Sequence, residues 1–338
     1  MTDDSSSQDS GAVGPAPADR PGLAGEDRAR QAGSRDDQGN SPGQVAGIPD
    51  ELVTAAGAGI VHPAQSPLYH AENAQRYERQ ALISTYERTY DCRLVVLFDM
   101  LFPFSMNLFE ELVYDADPRQ DMHLMLSTPG GDGETAVRLV RSAQRRCREL
   151  TVIVPDQAKS AGTILALGAH HILLGPTSDL GPIDPQFQIG QGLVSAKDII
   201  AAVGAAEQAI QANPDTYPLH ASLLADVTGL MVQQARSALA RSEDIMREAL
   251  ASQPDRTEPE VEALCQTLKQ PLIDDPKSHG AILSTADAIR YGLPVTEADP
   301  NSDQWQLLWR LWIKYWSSGN RAYEGVKASK LMPMPSPD

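Results

Sequence analysis

The chain has little that would staple it, coordinate a metal or anchor it. Its three cysteines, Cys92, Cys147 and Cys265, stand far apart with no metal-like pairing. That argues against a disulfide framework or a zinc site and for a reducing compartment. Aromatic residues make up 5% of the 338 positions, and no apolar run approaches the roughly 20 residues that span a bilayer. The first residues show neither the basic stretch nor the apolar one that opens a secretory signal, so a cytoplasmic location is expected. Positive charge is scarce too: 28 Lys and Arg against 45 Asp and Glu leave a formal net charge of −17. Such an acidic chain is a poor match for a nucleic-acid backbone or an anionic membrane, and neither is expected as a main partner. There is no phosphate loop and no ligand spacing for a metal, so no cofactor is expected.

Large apolar side chains are almost missing from residues 1–46, where Asp, Ser, Gly, Ala and Pro dominate. A segment of that composition buries too little surface to offset its ordering entropy, and disorder is expected there and over residues 332–338. Between these ends the chain is long enough for one elaborated domain, expected over residues 68–298. A helix near Ala71 to Tyr90, with Tyr77, Ala81, Leu82 and Tyr86 inward, precedes a strand at Leu94-Val95-Val96-Leu97-Phe98. Short β-branched runs then alternate with helical patterns, which argues for parallel βαβ units. Residues 196–269 are helical in character, with Leu223, Val227, Met231 and Ala235 forming an i, i+4 stripe in the middle helix. Residues 303–328 read as a C-terminal helix carrying all four tryptophans, Trp305, Trp309, Trp312 and Trp316, on one face. That face is expected to dock on the core or on another subunit.

Two short motifs carry the chemistry. Ser127-Thr128-Pro129-Gly130-Gly131-Asp132 follows the apolar run Leu124-Met125-Leu126, and Lys159-Ser160-Ala161-Gly162 follows Val152-Ile153-Val154-Pro155. Both sit where a strand gives way to a helix, where backbone N–H groups lack partners and favour an anionic oxygen. Gly130 and Gly131 let a ligand approach the main chain closely. Ser160 then becomes a candidate nucleophile, with the N–H groups of Gly131 and Ala161 as a candidate oxyanion hole. Either motif alone reads as an ordinary turn or N-cap. It is the pair, at successive strand-to-helix junctions, that points to acyl transfer.

With these stretches in view the chain resembles the Clp protease/crotonase superfamily. Lys159-Ser160-Ala161-Gly162-Thr163, Leu180-Gly181-Pro182-Ile183-Asp184-Pro185-Gln186 and Ser278-His279-Gly280 resemble most the serine dehydrogenase proteinase family, related to signal peptide peptidase A. Ser284 to Leu293 is similar to the closing segment of Clp proteolytic subunits, and the resemblance runs from about Tyr77 to Val295. It implies an α/β fold, a Clp/crotonase-like spiral of ββα units with a helical insertion and a C-terminal helix. It also implies a serine endopeptidase acting on a peptide or protein substrate, and subunit contacts through the insertion, hence a homo-oligomer.

Clp subunits take their base from a histidine on the strand after the nucleophile helix, a position that falls near Ile183-Asp184-Pro185, where there is none. His170 and His171 follow Ser160 too closely and read as a polar edge. Lys197 resembles the catalytic lysine of signal peptide peptidase A relatives, and a Ser160–Lys197 dyad is expected, with His279 as the alternative base. Asp184 is a candidate to orient either one, and Lys159, next to the nucleophile, is expected to point elsewhere. Two other readings remain open: a crotonase-type acyl-CoA enzyme using the same turn, or a non-catalytic oligomeric adaptor of the same fold.

Overall fold

The computed structural model describes residues 66–190, 192–274, 280–326 and 328–333. The expected tail over residues 1–46 lies outside them, as do His279 and residues 334–338 of the tail expected over 332–338. The described chain opens with α1 (Pro67–Glu72), α2 (Ala74–Tyr90), β1 (Cys92–Phe98), α3 (Pro103–Val113), β2 (Asp121–Ser127) and α4 (Gly133–Gln144). It continues through β3 (Leu150–Val154), β4 (Gln157–Ala158), α5 (Ala161–Leu167), β5 (His171–Leu174), β6 (Asp179–Leu180), β7 (Gln186–Ile189) and β8 (Gly192–Ser195). The helices α6 (Ala196–Ala212), α7 (Tyr217–Leu223), α8 (Gly229–Leu250) and α9 (Glu258–Lys269) come next. The chain then closes with α10 (Thr285–Arg290), β9 (Val295–Glu297), α11 (Asp303–Ser318), β10 (Asn320–Gly325) and β11 (Ala328–Pro333).

The central sheet runs β11-β10-β1-β2-β3-β5-β9. Its five strands from β1 to β9 are parallel, while β10 and β11 add an antiparallel edge. Side chains alternate between two cores, as a strand's period of two requires. Val95, Leu97, Leu124, Leu126, Val152 and Val154 enter the larger core on one face. Leu94, Val96, Met125 and Ile153 enter the other, against Leu308, Leu311 and Tyr315 of α11. Burial on both faces explains why these strands read as unbroken apolar runs.

Beyond the carboxyl ends of the parallel strands the chain makes a second, minor layer. β4 pairs with β6 in parallel, and single bridges join Leu101 to Gly131, Thr128 to Ala158 and Leu180 to Leu283. A long strand, a short strand and a helix therefore recur around the molecule. This is the Clp/crotonase-like α/β spiral expected from the resemblance, with its helical insertion and C-terminal helix.

Several local expectations are corrected. In α2 the buried stripe is Arg79, Ile83 and Tyr86, and Ala81 is exposed. Arg79 can be buried because its guanidinium meets the Glu324 carboxylate at 2.7 Å. The insertion is not one continuous stripe from Leu223 to Ala235: α7 ends at Leu223, and Thr228 caps a new helix by accepting from the Met231 N–H. Of that set Ala235 is buried against Ala196 and Ile199, Val227 and Met231 are partly buried against the same cluster, and Leu223 is exposed.

The last helix stops at Ser318, at Gly319 in a left-handed conformation, and Met332 and Pro333 belong to β11. Its tryptophans divide, with Trp305 and Trp312 buried and Trp309 and Trp316 exposed. At about 100° per residue the buried arc centres on Leu308, Leu311 and Tyr315, so only two tryptophans reach its edge.

Candidate functional site

The first motif leaves β2 and enters α4 through Gly130 and Gly131, at φ +127° and +138°. These angles are open only to glycine. A Cβ on Gly131 would stand 2.2 Å from the Leu101 carbonyl oxygen. The Leu101 N–H donates to the Gly130 carbonyl at 2.9 Å, and the Asp132 N–H donates to the Leu101 carbonyl at 2.7 Å. Asp132 then caps α4, accepting from the Thr135 N–H at 2.7 Å. The turn is therefore clamped on both sides by the residue that follows β1.

The second motif leaves β3 through β4. The Thr128 N–H donates to the Gln157 carbonyl at 2.9 Å, and the Lys159 N–H donates to the Thr128 carbonyl at 3.0 Å, which ties the two motifs together. Gly162 lets α5 pass close to Thr128, whose Cγ2 would be 2.4 Å from a Cβ there. Thr163 fixes the start of α5: its hydroxyl lies 2.8 Å from both the Ala158 and the Gly181 carbonyl, donating its one proton between them, and accepts from the Gly181 N–H at 3.0 Å. All seven residues of α5 are buried.

Ser160 is the N-cap of α5 at φ +48°, ψ −111°. A non-glycine residue with positive φ carries a cost of order 1–3 kcal/mol and persists only where its surroundings dictate it. The Gly130 turn abuts it: a Cβ on Gly130 would meet Ser160 Cβ at 2.9 Å and Oγ at 3.5 Å. Ser160 Oγ makes no capping hydrogen bond, so its strain does not serve the helix.

Two N–H groups beside it are also without acceptors. Gly131 and Ala161 donate to no described residue, whereas Gly130 donates to Thr128 Oγ1 at 3.1 Å. Of the glycine pair, Gly131 thus has the open donor and Gly130 supplies the close approach.

The other predicted residues are placed as follows. Lys159 points away from Ser160, to Asp179 Oδ1 at 2.6 Å and toward the Leu180 and Ala281 carbonyls at 3.3 and 3.4 Å. Burial, then the charge of Asp179, raises the Asp156 carboxyl above its ordinary range. Asp184 is buried and accepts from Gln186 Nε2 at 2.9 Å. Lys197 is half-buried in the first turn of α6, whose start is tied back by the Ala196 N–H to the Pro185 carbonyl at 2.9 Å. Among the described residues, no side chain is hydrogen-bonded to Ser160 Oγ, so the dyad is not closed by a direct bond. His170 is structural, accepting from the Leu150 N–H through Nδ1 at 2.9 Å, and burial lowers its pKa.

Sequence reading missed Thr128, Leu101 and Thr163, which hold the turn and the serine helix together. Thr128 lies inside the first motif and Thr163 directly follows the second, and that adjacency is the available signal. Leu101 left none, because its role is carried by its backbone.

Fold and turn together define an α/β protein with a mostly parallel central sheet and a glycine turn set against the start of a buried helix. Residues 113–253 match the family model of the ClpP-like SDH-type serine proteinases. The matched stretch contains the glycine turn, Ser160, Asp184 and Lys197. Two curated relatives come from Methanocaldococcus jannaschii. Uncharacterized protein MJ0137 is 33% identical over 114 residues, covering 34% of this chain and 36% of that protein. Uncharacterized protein MJ1495 is 28% identical over 127 residues, covering 38% and 37%. The chain thus spans little more than a third of the length of the curated relatives it matches. No described helix is long and apolar enough to cross a membrane.

Proposed function

We propose that the chain is a serine endopeptidase that cleaves peptide bonds through an acyl-enzyme on Ser160. The observation that carries this is the strained Ser160 against the glycine turn, with the open N–H groups of Gly131 and Ala161 on either side. Ser160 Oγ attacks the substrate carbonyl, and those N–H groups receive the oxyanion, each donor contributing about 10²–10³ in rate. Lys197 takes the serine proton and returns it to the leaving amine; a lysine does so once its ammonium is desolvated or crowded by another cation. Binding of the substrate supplies that desolvation by displacing water from the site. The working form is a homo-oligomer, in keeping with Tyr217, Leu219, Leu223 and Leu230 of the insertion, each at least 59% exposed.

The test is active-site labelling of the full chain with a fluorophosphonate, alongside cleavage of an unstructured protein such as casein and sedimentation velocity on the same preparation. Wild type is expected to give one adduct, on Ser160, and to cleave. Ser160→Ala should do neither at unchanged sedimentation, and Lys197→Ala should lose at least a hundredfold in both. An adduct elsewhere, or cleavage by Ser160→Ala, would overturn the proposal.

A further inference from the structure

A second feature lies outside the serine site, in the groove between α3 and the C-terminal half of α4. Its volume is about 580 Å³, and Arg138, Arg141, Arg145 and Arg146 line it. The single acidic side chain in the lining is Glu110. Four guanidinium groups against one carboxylate make a strongly positive concavity in a chain whose formal net charge is −17.

Part of this charge is structural. Arg146 bonds the Glu110 carboxylate and the Val113 carbonyl, the latter at 3.1 Å, and Ser142 Oγ donates to the other Glu110 oxygen. Arg141 reaches Glu248 of α8 at 2.9 Å. These bonds hold the floor of the groove and leave it built rather than collapsed. Arg138 and Arg145, by contrast, make no hydrogen bond or ion pair with any described residue, and both are exposed.

The helix dipole accounts for Arg145, the C-cap of α4, but not for Arg138. It favours cations within the last turn only, and Arg138 sits six residues into a helix that ends at Gln144. Opposite the arginines the wall is apolar, made by Met106, Ala116 and Pro118. The shape therefore offers open guanidinium forks on one side and a surface for an organic group on the other.

We propose that this groove binds a small phosphorylated molecule carrying at least two negative charges. Guanidinium forks match phosphate oxygens bidentately, and the volume falls within the range of small-ligand sites. A lone carboxylate would neutralise too little of the charge, and a nucleic-acid or membrane surface is repelled by the acidic remainder of the chain. The site is independent of Ser160. α4 begins at the glycine turn and carries the arginines toward its other end.

The test is calorimetric titration of the full chain with pyrophosphate and with ATP, in metal-free buffer at constant ionic strength. Binding to wild type is expected for at least one of the two, unchanged in Ser160→Ala. It should weaken at least tenfold in the double variant Arg138→Ala, Arg145→Ala, which breaks no contact of the fold. Arg148→Ala, whose side chain pairs with Asp121 outside the groove, should bind as wild type does. No binding of either probe to wild type would overturn the proposal. Equal binding by the double variant, or binding confined to anionic vesicles of phosphatidylserine, would overturn it as well.

Discussion

At the scale of single residues, Ser160 and Gly131 show how position converts ordinary chemistry into a site. Ser160 is an N-cap without a capping bond, held at positive φ by its neighbours. Gly131 has no room for a side chain because the Leu101 backbone fills the space. Gly131→Ala should therefore cost about 2–4 kcal/mol, since neither atom of the clash is a movable side-chain end and the backbone angle is closed to alanine. Urea unfolding measures this, and Gly204→Ala is the contrast: it lies in α6 with nothing within 4 Å of an added Cβ. That substitution should be neutral or stabilising by up to about 1 kcal/mol. Equal losses in the two variants would contradict the account of the turn.

At the scale of elements, α5 is the piece that positions Ser160, and it is anchored at both ends. Thr163 fixes its start. Arg256 fixes its end, donating to the Leu167 and Ala169 carbonyls at 2.5 and 3.2 Å and to the Leu250 carbonyl at 3.1 Å. One guanidinium thus satisfies the last carbonyls of α5 and ties them to the end of α8. Arg256→Ala leaves these acceptors short of partners and should lower stability by about 2–3 kcal/mol. A fall in thermal midpoint with a matching fall in the rate of Ser160 labelling is the expected result. A fall in stability alone would mean that the anchor does not aim the serine.

The same scale shows what was legible in the sequence. The strands β1, β2 and β3, the α4 and α5 starts and the helical character of residues 196–269 follow from apolar runs, N-caps and glycines. The break before α8 was missed because Leu223, Val227 and Met231 keep a helical period across it. Thr228 is an N-cap whose signal that period masks. The buried stripe of α2 differs from the expected one for another reason: only the distant partner Glu324 lets Arg79 be buried.

At the scale of the whole molecule, one polar network ties α2, β2 and α11 together. Gln304 Nε2 donates to the Tyr86 hydroxyl at 2.9 Å, which leaves the hydroxyl proton for His123 Nδ1 at 2.8 Å. A neutral imidazole accepts that proton, and burial pushes its pKa down to about 4. Above about pH 6.5 the ring is neutral whether folded or unfolded; between there and pH 4 only the unfolded chain takes up the proton. Stability should accordingly fall as pH drops through that window, by about 2–3 kcal/mol from this group. Urea unfolding at pH 7.5 and 4.5 reads the effect, and His123→Gln should show the smaller difference. An unchanged difference would remove His123 as its source.

The sequence by itself determined the two motifs and the α/β alternation, because glycines, a serine before a helix and apolar runs are local and periodic signals. Only the tertiary structure decided which donors are open. Gly130 spends its N–H on Thr128 while Gly131 and Ala161 keep theirs, and Leu101 clamps the turn through its backbone alone. The same is true of the buried Arg79–Glu324 pair and of the arginine groove. Each depends on residues far apart in the chain, or on partners withheld from one side chain and given to its neighbour, and neither composition nor spacing records such pairings.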